Sequence, residues 1–120
     1  MRLNELVDTL GLTVTSASSS LARDVGGGYS SDLLSDVIAN ANEGDIWITL
    51  QTHVNIVAVA VMKDIAGIIL VNGRKPDSDT LERAKKEDVP IMISEMPAFE
   101  LIGRLYQIGV SGQKKDANGA

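Results

Sequence analysis

A chain of 120 residues is the size of one domain, able to bury roughly 65% of the surface its unfolded form exposes. It is 44% hydrophobic, 22% charged and 3% aromatic, which excludes a disordered or fibrous chain and leaves the core to Val, Ile, Leu, Ala and Met. The lack of cysteine rules out a disulfide scaffold and a thiolate metal site, and a net charge of −5 argues against a nucleic-acid partner.

Leu3, Leu6, Val7 and Leu10 recur at helical spacing, with Gly11 as the stop. Its acids, with no apolar core or cleavage site, give this terminus none of the marks of a signal peptide. Leu12 to Thr15 reads as a short strand and the serine run after it as a polar connector. Arg23 to Ser30 holds Gly26, Gly27 and Gly28 and reads as a loop able to turn tightly or approach a ligand. Ser30 and Ser31 are candidate N-caps for a helix with Asp32 in its first turn, ended by Asn42-Glu43-Gly44.

From there strands and helices alternate. Strands are expected at Asp45 to Leu50, Ala66 to Val71 and Val89 to Ser94, and helices at Thr52 to Met62, Asp77 to Glu87 and Pro97 to Gln107. This rhythm predicts an α/β fold, a three-layer sandwich with a mainly parallel central sheet and helices on both faces. Pro97 suits a first helical position and Pro90 a strand start. Asp79 with Arg83, and Glu82 with Lys86, are spaced for solvated pairs worth about 0.3 kcal/mol each. Gly103 inside the last helix implies either close packing on the sheet or a subunit contact. The longest apolar run, Ile56 to Met62, falls far short of the roughly 20 residues a membrane span needs. We expect one domain over residues 1–111, a flexible C-terminal tail over 112–120, and a cytoplasmic location.

Ligands of open parallel sheets collect beyond the carboxyl ends of the strands, here Gln51-Thr52-His53, Asn72-Gly73-Arg74 and Glu95. The glycine loop could close over the same edge, presenting a helix N-terminus to an anion, with Asp24 and Tyr29 beside it. It matches neither a P-loop nor a dinucleotide fingerprint, and a plain turn is the equal alternative. Thr52 can cap the next helix with Asn55 close behind; these groups either satisfy the helix start or face a small ligand. His53, the single histidine, makes no metal site alone but can titrate near neutrality. No nucleophile–base pair stands out and no G-x-S-x-G elbow occurs, so we expect no enzyme activity and no cofactor.

Three stretches carry a family resemblance: ARDVGGGYSSDLLSDV (Ala22 to Val37), GDIWITLQTHVNIVAVAV (Gly44 to Val61) and VNGRKPDSDTLERAKKEDVPIM (Val71 to Met92). In this order and spacing the chain from Leu21 to Val110 resembles the DRTGG family of regulatory domains, especially its small stand-alone members. The third stretch is similar to the regulatory region of some phosphate acetyltransferases. The family is also similar to the amino-terminal domain of HPr kinase/phosphorylase, whose phosphate loop lies in its other domain. The resemblance implies a commonly dimeric α/β domain that regulates rather than catalyses, in company with CBS modules and under adenine-nucleotide control in some pyrophosphatases. The pentapeptide that names the family is Gln51-Thr52-His53-Val54-Asn55 here, so roles tied to its arginine and aspartate do not carry over.

These readings converge on a ligand-sensing homodimer binding a small anion or adenine nucleotide through Asp24, Gly26, Gly27, Gly28, Tyr29, Gln51, Thr52, His53, Asn55 and Asn72. The alternative is an adaptor for a partner enzyme with no ligand of its own. An HPr kinase-like enzyme is the third and weakest reading.

Overall fold

Three strands made almost wholly of buried apolar residues line up at the middle of the sheet. They are β3 (Asp45–Thr49), β4 (Gly67–Leu70) and β5 (Ile91–Ile93) in the computed structural model, which describes residues 1–112. β1 (Thr13–Val14) and β2 (Gly27–Ser30) flank them in the order β1-β5-β4-β3-β2. β2, β3, β4 and β5 run parallel, with Gly27 opposite Asp45, Ile46 opposite Gly67 and Ile68 opposite Ile91. β1 alone is antiparallel, set against β5. The expected parallel alignment of three successive strand–helix units is therefore found.

The helices are α1 (Leu3–Leu10), α2 (Leu34–Asn40), α3 (Asn55–Lys63), α4 (Ser78–Glu87) and α5 (Ala98–Gln107). Alternate strand residues point to opposite sides of a sheet, and here they sort into two apolar clusters. Trp47, Ile68, Leu70 and Ile91 pack with Val37 of α2, Ile56 and Ala60 of α3 and Ala84 of α4. Ile46, Ile48, Ile69 and Met92 pack with Leu3 and Leu6 of α1 and Leu101 and Leu105 of α5. Gly67 has to be small: a Cβ there would stand 2.8 Å from Met92 Cε and 3.3 Å from Leu3 Cδ2. At the β1–β5 margin, the buried Ser16 hydroxyl donates to the Val89 carbonyl (2.7 Å) and accepts from the Ile91 N–H (2.9 Å). No helix among the described residues is long and apolar enough to cross a membrane.

Several local expectations are corrected. The segment expected to be a loop through Ser30 becomes strand β2 from Gly27 onward. Glycine is a poor strand former, but a larger residue at 27 would meet the Ser111 carbonyl at 2.9 Å. The segment after α5 runs beside this edge, and Gly28 N–H donates to the Ser111 carbonyl at 3.2 Å. Gly112, expected to begin a tail, donates its N–H to Tyr106 Oη at 3.1 Å; the rest of that stretch lies outside the described residues.

α2 starts later than expected, with Leu33 at its N-cap position, and ends at Asn40. Ser30 belongs to β2, while Ser31 Oγ accepts the Leu33 N–H ahead of the helix. Asp32 precedes that first turn, and its side chain accepts from Thr49 at the end of β3 and from the Leu50 N–H just after it. α3 starts at Asn55 rather than Thr52, with His53 Nδ1 accepting the Asn55 N–H at 3.2 Å. Pro97 takes the N-cap position of α5 and not its first turn. Arg83 pairs with Glu87 at 3.8 Å instead of Asp79, whose Oδ1 accepts the Thr80 N–H. Gly103 is exposed, and a Cβ there would meet nothing within 4 Å among the described residues, so it does not pack on the sheet.

Asp45 opens β3 with 5% of its surface exposed and accepts the Asn42 N–H at 2.8 Å. Burial pushes its carboxyl above the usual range, against the pull of the Asn42 N–H and the Lys63 ammonium. A raised folded pKa contributes stability that is fully present below the unfolded value, about 3.9, and lost as pH rises through the folded value. Asp45→Asn removes that ionisation while keeping an acceptor oxygen. The melting temperature of the variant relative to the parent is expected to climb between pH 3.5 and pH 7. A difference that stays flat with pH would contradict the burial argument.

Candidate functional site at the carboxyl ends of the strands

The parallel sheet delivers four connections to one rim: Ser31-Asp32 after β2, Leu50 to Val54 after β3, Asn72 to Pro76 after β4 and Ser94 to Met96 after β5. They are fastened to one another by hydrogen bonds. Asp32 Oδ1 accepts from Thr49 Oγ1 and from Leu50 N–H, both at 2.7 Å. Gln51 Nε2 donates to the Asp32 carbonyl at 3.1 Å. The Thr52 carbonyl accepts from Thr80 Oγ1 (2.7 Å) and Asp77 N–H (3.2 Å), joining this connection to the start of α4. Asn72 N–H donates to the Met96 carbonyl (3.0 Å) and Gly73 N–H to that of Ser94 (2.8 Å), joining β4 to β5.

Asn72 and Gly73 both have positive φ, 57° and 66°, a turn that asparagine and glycine tolerate best. A Cβ on Gly73 would stand 2.5 Å from Glu95 Oε2, so that carboxylate closes directly over the turn. With the backbone satisfied internally, the rim turns outward the side chains of His53, Asn55, Asn72, Arg74 and Lys75, all exposed, with Gln51 and Thr52 half-buried. The rim thus offers polar side chains and two cations, Arg74 and Lys75, alongside the exposed carboxylates of Asp32 and Glu95.

Five of the ten residues singled out from the sequence meet here: Gln51, Thr52, His53, Asn55 and Asn72. The other five do not. Gly27 pairs with Asp45 at the start of β3, about 13 Å along the strand from Thr49 at ~3.3 Å per residue. Asp24 lies farther back still, bridged to Arg2, and Gly26 N–H donates to the Gly44 carbonyl. Tyr29 turns toward α2, where its hydroxyl donates to Asp36 Oδ1 at 2.8 Å. That bond, with those from Ser31 and Asn40, holds the Asp36 carboxyl below its ordinary value, Ser31 contributing most. Gly28 instead borders a depression of about 370 Å³ between β2 and α5, walled by Ile48, Ile102, Leu105 and Tyr106.

The sequence placed Glu95 at this rim and Asp32 in a helix's first turn, but showed neither Asp32 as the clamp of the rim nor Glu95 as the cover of its turn. No spacing signal marks those contacts, because each residue acts on a neighbour brought in by the sheet. Among the described residues no group of three His, Asp or Glu side chains is placed to hold a metal ion.

No family model matches the chain. No curated protein matches it either. A solved structure does match: the CBS and DRTGG domains of the regulatory region of a Clostridium perfringens pyrophosphatase, complexed with its activator diadenosine tetraphosphate. The TM-score is 0.70 at 19% identity, over 85% of this chain and 44% of that one. The likeness supports a DRTGG-like fold. This chain thus spans less than half the length of that relative, and what the two share is architecture.

Proposed function

We propose that the chain is a non-catalytic regulatory domain, cytoplasmic and homodimeric, that senses an adenine nucleotide or another small anion at the rim beyond β3 and β4. In this reading the sheet is the middle layer of a three-layer sandwich whose interconnected loops report ligand occupancy to the helices. The observation that carries it is the convergence of Gln51, Thr52, His53, Asn55 and Asn72 with the cations Arg74 and Lys75 on one braced edge. The solved neighbour, a regulatory region bound to a dinucleotide activator, supports the ligand class.

The test is calorimetric titration with AMP, ATP, diadenosine tetraphosphate and inorganic phosphate, beside thermal unfolding. At a hundredfold excess over Kd a ligand of the folded state adds about 2.7 kcal/mol. One adenine nucleotide is expected to bind and raise the melting temperature, and Thr52→Ala with His53→Ala to weaken it at least tenfold without unfolding the chain. Binding indifferent to that double change would move the site elsewhere; no binding by any of the four would remove the sensing role.

The second reading, an adaptor docking on a partner enzyme, draws on a different face. Leu33 of the turn before α2, with Val61 and Met62 of α3, is 50–65% exposed. An HPr kinase-like activity has no such observation behind it.

A further inference from the structure

Two neighbouring glycines open strand β2, and the packing of the fold accounts for only one of them. A Cβ at Gly27 would stand 2.9 Å from the Ser111 carbonyl, so the approach of that backbone requires glycine. A Cβ at Gly28 would meet nothing nearer than the Ile46 carbonyl at 3.7 Å and Val110 Cγ1 at 3.8 Å among the described residues. Those are ordinary contacts, and the backbone at Gly28 has no positive φ. Glycine weakens a strand, and one of its uses there is to let a ligand come close. The room left at Gly28 belongs to the depression of about 370 Å³ between β2 and α5.

The depression has the size and the lining of a small-molecule site. Ile48, Leu105 and Val110, all buried, form its apolar interior together with half-buried Ile102. No charged side chain among the described residues lines it. Tyr106, also in the lining, accepts the Gly112 N–H at Oη (3.1 Å) and a second hydrogen bond from Ser111. Those two bonds, Gly112 contributing most, hold the phenol below its ordinary value. An oxygen that accepts in this way makes its own O–H a stronger donor.

We infer that this depression binds a small apolar molecule with one neutral acceptor head, an aryl or branched alkyl carbonyl compound. The apolar body lies against Ile48, Ile102 and Leu105, and the carbonyl oxygen takes the Tyr106 O–H. Charge selects the head. A carboxylate would be left without a cation in an apolar lining, which is a costly burial. An ammonium would find no carboxylate there, only a phenol oxygen that already accepts two bonds. A carbonyl oxygen needs a single donor and has one. An apolar cavity of about 150 Å³ holds benzene, so a ring with a short acyl chain suits this larger space. The depression shares no lining residue with the rim connections, so this inference goes beyond the nucleotide reading and either can fail alone.

Heteronuclear NMR of the full chain titrated with propiophenone tests this, with propylbenzene and benzoate as companion probes. Propiophenone is expected to shift the amides of Gly28, Ser30, Ile102 and Leu105 with about millimolar affinity, as befits a fragment of about ten atoms. Propylbenzene, which lacks the acceptor, is expected to bind about fivefold more weakly, the worth of one hydrogen bond. Benzoate is expected to shift none of them. Tyr106→Phe should erase the difference between propiophenone and propylbenzene, which loss of a purely structural contact would not do. Gly28→Val should abolish binding with the melting temperature unchanged or raised, since a β-branched residue suits a strand. Ile102→Trp closes the same space from α5 and carries the test if the strand variant does not fold. Equal binding of propiophenone and propylbenzene to the parent protein overturns the acceptor head and with it the inference. Shifts confined to the rim, or none from any probe at millimolar concentration, overturn the site itself.

Discussion

Trp47→Ala is expected to lower stability by about 3–5 kcal/mol, the range for removing a fully buried large side chain. Trp47 has no exposed surface and sits in the α2–α3–α4 cluster between strands that cannot close over a lost indole. Its Nε1–H donates to the Ser31 carbonyl at 2.9 Å, so truncation also breaks a bond that holds the end of β2 to β3. A domain of this size has about 5–15 kcal/mol in all, so the variant should lie near the edge of folding. Urea unfolding followed by far-UV circular dichroism measures this, since the substitution deletes the chain's one tryptophan. Trp47→Phe should recover part of the loss. A cost under 1 kcal/mol for the alanine variant would mean that the core closes over the gap.

Asp32→Ala is expected to cost about 2–3 kcal/mol, an unusual amount for an exposed carboxylate. Hydrogen bonds to charged groups contribute about 1.5–3 kcal/mol, and Asp32 Oδ1 accepts two, each at 2.7 Å. One of them satisfies Thr49, whose hydroxyl lies on a residue only 2% exposed. Without that acceptor the β3–α3 connection loses its side-chain tie to the segment after β2, while the Gln51 bond to the Asp32 carbonyl and the Thr52 bonds to α4 remain. Amide exchange at Leu50 should accelerate in step with the fall in stability, and any ligand affinity at the rim should fall with it. Asp32→Asn keeps an acceptor oxygen and should retain about half of the stability. Equal losses in the alanine and asparagine variants would show that charge, not the acceptor, is what matters.

Much of the sheet was legible because its central strands are nearly uninterrupted apolar runs, GIIL and IMI, separated by segments with helical spacing. Buried on both faces, such strands announce themselves by composition alone. β2 was not legible, since GGYS has neither alternation nor β-branched residues and its glycines answer to Ser111 and Asp45, far along the chain. That misreading also placed the glycine segment on the wrong end of the sheet. The order of chain segments cannot reveal that Gly27 stands beside Asp45 rather than Gln51; the register can. Helix starts were missed where side chains found better partners. Thr52 is held by its carbonyl to α4, and Asp32 turns to β3, so neither caps its own helix. Gly103 stood out in the sequence, but that it does not pack on the sheet needed coordinates.

The rim itself is most directly tested by heteronuclear NMR of the full chain titrated with diadenosine tetraphosphate or ATP. We expect amide shifts concentrated at Gln51 to Asn55 and Asn72 to Lys75, with Gly26, Gly27 and Gly28 unmoved. Shifts confined to Gly28, Tyr106 and the β2 edge, or a spectrum unchanged at millimolar nucleotide, would contradict a ligand site at the carboxyl ends of these strands.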